Sequence, residues 1–162
     1  MPFVETRDKA NTKLYYKTWG PDTGRPVILI HGWPLNADSW DNVTHALADS
    51  GNRVIAYDRR GFGRSDQPCG GYDYNTLADD LAAVMEHTGA TENVALVGFS
   101  MGGGEVARYM SKYQGKGVTQ AALIASVVPY MLKTDDNPDG VPEKQLKEIA
   151  ENVEKDRAKF FQ

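Results

Sequence analysis

Apolar positions along the chain switch repeatedly between the period of a strand and that of a helix. Residues 3–8 and 12–19 predict two short strands around a turn at 9–11. In the second, Leu14, Tyr16 and Thr18 alternate with Tyr15 and Lys17, as a half-buried antiparallel hairpin requires. Residues 26–31 (PVILIH) are continuously apolar up to His31, the pattern of a strand covered on both faces. A helix follows from about Asp38–Asp41, with Trp40, Val43, Thr44, Leu47 and Ala48 on one stripe, stopped by Gly51. Residues 53–57 form the next strand. After a loop rich in glycine and arginine (58–66), a helix capped by Asn75 runs to about His87, with Leu77, Ala78, Leu81, Val84 and Met85 facing inward. Residues 94–97 are a strand, 101–113 a helix, and 118–128 another apolar strand ending at Pro129. Strands alternating with amphipathic helices predict an α/β fold with a mostly parallel sheet and helices on its faces.

From Tyr130 the pattern changes. KTDDNPDGVP is a turn-rich connector, and Pro142 suits the first position of a helix carrying Leu146, Ile149, Val153 and Phe160 at helical spacing. Nothing further along the sequence supplies a surface for that stripe.

Composition narrows the function classes. Hydrophobic residues at 41% and charged ones at 25% are those of an ordinary globular protein of one core. A formal charge of −4 without a basic cluster argues against a nucleic-acid partner. Cys69 is the only cysteine, so an internal disulfide is ruled out. The polar N-terminus lacks a signal sequence and no apolar run reaches membrane-spanning length. A cytoplasmic soluble protein without membrane attachment is expected. No Cys or His cluster has metal-ligand spacing, and Gly61-Phe62-Gly63 lacks the spacing of a dinucleotide fingerprint.

The stretch NVALVGFSMGGGEVAR, residues 93–108, carries the chemistry. It predicts a strand, a tight turn with Ser100 at its tip, and a helix, the context that a G-x-S-x-G nucleophile elbow requires. Gly98 and Gly102 flank the serine where strained backbone angles favour glycine. The alternative is a glycine-rich connection whose serine only caps the helix. His31, Asp58 and Ser100 stand at the carboxyl ends of three strands, where open α/β sheets bind ligands.

A serine hydroxyl needs a base to take its proton and donors to hold an oxyanion. The backbone amides of Met101, directly after the serine, and Trp33, after the earlier strand, suit the donors. Trp33 either lines an acyl pocket or covers the sheet end, while Pro34 shapes its loop without donating. The base is the difficulty. The triad histidine should follow the serine, yet the three histidines are His31, His45 and His87. His31 is expected to hold loop backbone, and His45 and His87 to lie on helix surfaces. Asp135, Asp136 and Asp139 have the look of turn formers, Asp79–Asp80 of a solvated helix face, and Asp58 with Arg59 and Arg64 of a loop brace. Loss of the histidine costs such a triad about a million-fold in turnover.

The motifs His31-Gly-Trp-Pro34, Asp58-Arg-Arg-Gly-Phe-Gly-Arg-Ser65 and Gly98-Phe-Ser-Met-Gly-Gly103 resemble the α/β-hydrolase superfamily, and specifically its cofactor-free haloperoxidase, arylesterase and perhydrolase branch. The resemblance covers residues 3–130. It implies Ser100 as nucleophile, the Trp33 and Met101 amides as oxyanion hole, and Phe99 and Trp33 beside the substrate. It further implies hydrolysis of small esters, and peracid formation from a carboxylic acid and hydrogen peroxide, without metal or other cofactor. Residues 1–129 would be the N-terminal part of the hydrolase core and 130–162 the start of a helical cap. The last strands, the triad acid and the triad histidine are expected to be absent from these residues. The sequence therefore supports a fragment of a serine esterase, a site whose base comes from a partner chain, or a non-catalytic module. In the last case the open sheet edge and terminal helix would drive homo-oligomer formation.

Overall fold

A computed structural model describes residues 2–161 and divides them, between Val127 and Val128, into two compact units. The first holds six strands: β1 Phe3–Glu5, β2 Lys13–Trp19, β3 Arg25–Ile30, β4 Asn52–Tyr57, β5 Val94–Phe99 and β6 Val118–Ile124. They form one sheet in the order β1-β2-β4-β3-β5-β6. The β1–β2 and β2–β4 pairs are antiparallel, and the β4–β3–β5–β6 block is parallel. The continuous apolar runs lie in the middle of that block. Ile28, Leu29 and Ile30 of β3 and Val54 to Tyr57 of β4 are almost inaccessible, as expected of strands covered on both faces.

The helices of this unit are α1 Asp41–Asp49, preceded by a single 3₁₀ turn at Ala37–Trp40, α2 Tyr74–His87 and α3 Met101–Lys112. Leu77, Ala78, Leu81, Val84 and Met85 of α2 join Val106 and Tyr109 of α3 over one face of the sheet, against Ile28, Ile30, Ile55 and Leu96. On the other face a smaller cluster of Val27, Leu29, Val54 and Ala56 meets Trp40, Leu47 and Ala48 from the α1 region. Burial of each such aliphatic side chain contributes about 1.5–3 kcal/mol.

Four local expectations are corrected. The first strand stops at Glu5, because the Thr6 N–H turns to the Thr12 carbonyl (2.9 Å) and Asp8 caps the turn through Thr12. The cap of α2 is Asp73, whose carboxylate accepts the Asn75 and Thr76 N–H groups, while Asn75 itself is helical. Val43 is exposed, on the outer side of α1. Strand β6 ends at Ile124, four residues short of Val128, and among the described residues it pairs with β5 alone as a strand.

In the second unit, Asn137 closes a turn by donating its side-chain N–H to the Tyr130 and Leu132 carbonyls (2.8 and 3.1 Å). Two helices follow, α4 Glu143–Lys155 and α5 Arg157–Phe160, the latter capped by the Asp156 carboxylate.

Candidate active site

Strand β5 runs directly into α3 through Ser100, whose φ of 52° and ψ of −116° lie in a region that residues with a Cβ avoid. Such a conformation costs of the order of 1–3 kcal/mol and persists only when its surroundings enforce it. Here the Ser100 N–H donates to the Ile124 carbonyl (2.9 Å), and the Ser100 carbonyl accepts the Gly103 N–H (3.0 Å). Both peptide groups of the residue are thereby fixed.

The flanking glycines act differently from the expectation. Gly98 and Gly102 have no positive φ; the unusual angle belongs to the serine. What these glycines permit is close approach. A Cβ on Gly98 would collide with the Gly102 backbone, and one on Gly102 with the Ile30 carbonyl at the end of β3. The first turn of α3 can therefore settle onto the sheet only without side chains at these positions.

Met101 is the first residue of α3, so its N–H has no acceptor within the helix. The loop after β3 lies alongside: a Cβ on Gly32 would stand 3.1 Å from Ser100 Cβ and 2.9 Å from the Phe99 ring. Trp33, the next residue, is 41% exposed and Phe99 is half-buried. The structure thus brings Ser100, Met101, Phe99 and the start of the Trp33 loop to one place at the carboxyl end of the sheet.

His31 is fully buried and both ring nitrogens are engaged. The Arg59 backbone N–H donates to Nε2 (3.0 Å), which makes Nε2 the acceptor and leaves the proton on Nδ1, facing the Gly32 carbonyl at 2.8 Å. Burial, reinforced by the Arg59 charge, lowers its pKa to about 4. This histidine is a neutral structural group with no lone pair available to Ser100. His45 and His87 lie exposed on α1 and α2, and His87 packs edge-on against Tyr16. Among the described residues, no side chain is hydrogen-bonded to the Ser100 hydroxyl.

Two buried ion pairs stand behind the elbow, and neither was legible as a pair. Arg59 meets Glu105 of α3 at 2.8 Å with both side chains wholly inaccessible. Tyr57 donates its hydroxyl to the same carboxylate. Burial pushes the Glu105 carboxyl well above the usual range and brings Arg59 down to about 10. Arg60 grips Asp80 of α2 with two bonds of 2.6 Å and reaches Asp8 at 3.1 Å. Asp80 is thus no solvated face residue, although its neighbour Asp79 is exposed and bound to Lys112 and Tyr113. Asp58 braces its loop as expected, receiving the Arg64 side chain and the Ala37 and Arg64 N–H groups, but Arg59 belongs to a different network.

A cavity of about 650 Å³ lies elsewhere, lined by Asp8, Arg60, Asp79, Asp80, Tyr113 and Lys116 among others and by none of the elbow residues. Its charged groups are largely paired with one another, which suits a solvated groove beside α2 and not a reaction centre.

Comparison with known proteins agrees with this geometry. A family model described as the alpha/beta hydrolase fold matches residues 25–162. The chain is 46% identical over 161 residues to a non-heme chloroperoxidase of Streptomyces lividans, covering 99% of this chain and 57% of that one. It is 42% identical over 161 residues to a bifunctional esterase/perhydrolase of Acinetobacter calcoaceticus, with the same coverage, 99% and 57%. Among solved structures, a bromoperoxidase from Bacillus anthracis superimposes with a TM-score of 0.89 at 43% identity, over 98% of this chain and 56% of that one. The chain therefore spans a little more than half the length of these relatives.

Proposed function

The chain belongs to the α/β-hydrolase fold family, and on that premise we propose that Ser100 is the nucleophile of a serine esterase that also forms peracids. The observation that carries this reading is the strained Ser100 at the strand-to-helix turn, with the Met101 amide at the helix start beside it. In the proposed reaction, Ser100 Oγ attacks the carbonyl carbon of a small carboxylic ester and its proton passes to a base. The developing oxyanion accepts hydrogen bonds from the Met101 and Trp33 amides. The alcohol then leaves and an acyl-serine remains. Attack by water gives the carboxylic acid, and attack by hydrogen peroxide gives the peracid. Oxidised halide would follow from the peracid outside the protein.

Phe99 and Trp33 are assigned to the substrate pocket. His31 is committed to loop backbone, so the reading places the triad acid and histidine in the part of the family fold that the matched span does not cover. Residues 130–162 are assigned to the beginning of the cap and the protein to the cytoplasm; no helix among the described residues is long and apolar enough to cross a membrane.

The test is labelling with a fluorophosphonate followed by peptide mapping. In a chain spanning the whole family fold, with the base present, the folded protein should label at Ser100 at least about tenfold faster than in denaturant, and Ser100→Ala should not label there. Equal rates in the folded and denatured states of that longer chain, or a different labelled residue, would remove Ser100 from the mechanism.

A second reading, self-association, has its own observation: β6 is paired on one side only, with Leu123 and Ile124 46% and 45% exposed. Light scattering at micromolar concentration decides it, since a monomer would exclude assembly through this edge.

A further inference from the structure

Arg59 has no place in the reaction just described, yet it is fully buried beneath both segments assigned to the oxyanion hole. We propose that Arg59 is a positioning residue that fixes the direction and separation of the Trp33 and Met101 amides, acting through His31 on one side and Glu105 on the other. The proposal rests on the oxyanion reading above and adds to it the device that aims the donors.

Three observations support it. First, the peptide joining Gly32 to Trp33 is one planar unit, so its C=O and the Trp33 N–H are linked in direction. The Gly32 carbonyl is held by His31 Nδ1–H (2.8 Å) and by the Leu35 N–H (3.0 Å). Fixing that carbonyl aims the Trp33 N–H, and two donors on one carbonyl also polarise the peptide and strengthen its N–H as a donor. Second, His31 can donate from Nδ1 only because the Arg59 backbone N–H occupies Nε2 (3.0 Å), and the Arg59 guanidinium also donates to the His31 carbonyl (2.8 Å). Third, the same guanidinium donates to Glu105 (2.8 Å) and lies 3.7 Å from Met101 Sδ. Glu105 is four residues, about one helical turn, beyond Met101, so it shares a face of α3 with the second donor. One side chain therefore ties the loop after β3 to the first turn of α3.

The test uses the 162-residue chain labelled with ¹⁵N. In the double variant Arg59→Met with Glu105→Leu, both charges leave together, and such replacements in a buried pair are commonly tolerated. Arg60→Met with Asp80→Leu is the matched control. The expected result is that the Trp33 and Met101 amide cross-peaks both move in the first variant, with amide exchange at least about tenfold faster, and neither moves in the control. In a chain spanning the whole family fold and carrying the same substitutions, fluorophosphonate labelling of Ser100 should also slow about tenfold or more in the first variant only. Arg59→Lys supplies a second reading, for the case in which the double variant does not fold. A lysine ammonium lacks the planar fork that spans Glu105 and the His31 carbonyl, so the Trp33 and Met101 amides should not both keep their parent positions. Unmoved amides in the folded Arg59 variants overturn the proposal, as does unchanged labelling. If the chain spanning the whole family fold fails to label at Ser100, the nucleophile reading falls and the amide shifts still decide whether Arg59 sets the donors.

Discussion

Arg59 and Arg60 are neighbours in sequence, both with side chains at most 2% exposed, and each forms an ion pair with a helix carboxylate. Their surroundings differ. Arg59 is sealed: its guanidinium donates to Glu105, whose carboxylate also accepts the Tyr57 hydroxyl, and to the His31 carbonyl, and it lies against Met101 Sδ. Arg60 has a second carboxylate, Asp8, 27% exposed, and its partners are α2 and the turn between β1 and β2. The first pair joins the elements that carry Ser100 and its neighbours; the second joins elements behind them. Two arginines of equal burial thus divide into one that shapes the candidate site and one that ties down its scaffold.

The largest effect should come from stranding each arginine. Removing one partner of a buried pair costs about 3–5 kcal/mol, because the charge left behind has neither water nor partner. Glu105→Leu leaves Arg59 without its ion-pair carboxylate, so it should reach the full cost. Asp80→Leu leaves Arg60 with Asp8, so it should lose less, by about 1 kcal/mol or more. Urea unfolding of the two variants measures the difference. Equal midpoint shifts would mean that Asp8 contributes nothing and that the two sites are energetically alike.

The same contrast marks what could be read from the sequence. The fold was legible because residues 26–31, 53–57 and 94–97 are apolar runs divided by helical stripes, and those patterns reflect burial directly. Ser100 and the loop after β3 were legible because glycines mark both places. The reason for the glycines was misplaced: the positive φ sits on Ser100, and the need at Gly98 and Gly102 is for room, which depends on where β3 ends. Glu105 and Asp80 were not legible. A charged residue on a helix has a solvated face as its ordinary position, and only the distant arginine reverses that. The one signal available was a carboxylate at an inward helical position, Glu105 beside Val106 and four before Tyr109; no local pattern names the partner.

The two regions should also fail at different pH. His31 belongs to the Arg59 network, and its folded pKa of about 4 lies below the ordinary 6.5. Its contribution is present above pH 6.5 and is lost as pH falls toward 4, since the unfolded chain binds the proton first; the loss amounts to about 3 kcal/mol. Asp8 belongs to the Arg60 network. Although its partial burial opposes ionisation, hydrogen bonds from Thr12 and the Arg60 charge lower its pKa from 3.8 to about 2. Its smaller contribution is present above pH 3.8 and lost between there and 2. Unfolding free energy measured against pH should therefore fall in two stages. Asp8→Asn should shrink only the lower one, to which Asp38 and Asp73 also contribute, and His31→Gln only the upper one. A single stage insensitive to His31→Gln would show that the ring is not held neutral by its buried contacts.

The smallest effect tests how far α2 is coupled to the site. Asp73 caps α2 by accepting the Asn75 and Thr76 N–H groups and the Thr76 hydroxyl, and α2 carries Asp80, the partner of Arg60. Asp73→Ala leaves two of the first N–H groups of the helix to water and should cost about 1 kcal/mol, seen as a lower melting temperature. Since α2 bonds directly to Arg60 and meets Arg59 only through longer-range electrostatics, Ser100 labelling in the still-folded variant should keep the parent rate. A slower rate at a temperature where the variant is folded would show that strain in the Arg60 scaffold passes to the elbow. Tyr74, the first residue of α2, would then be the route, because its hydroxyl donates to the Met101 carbonyl at 3.4 Å.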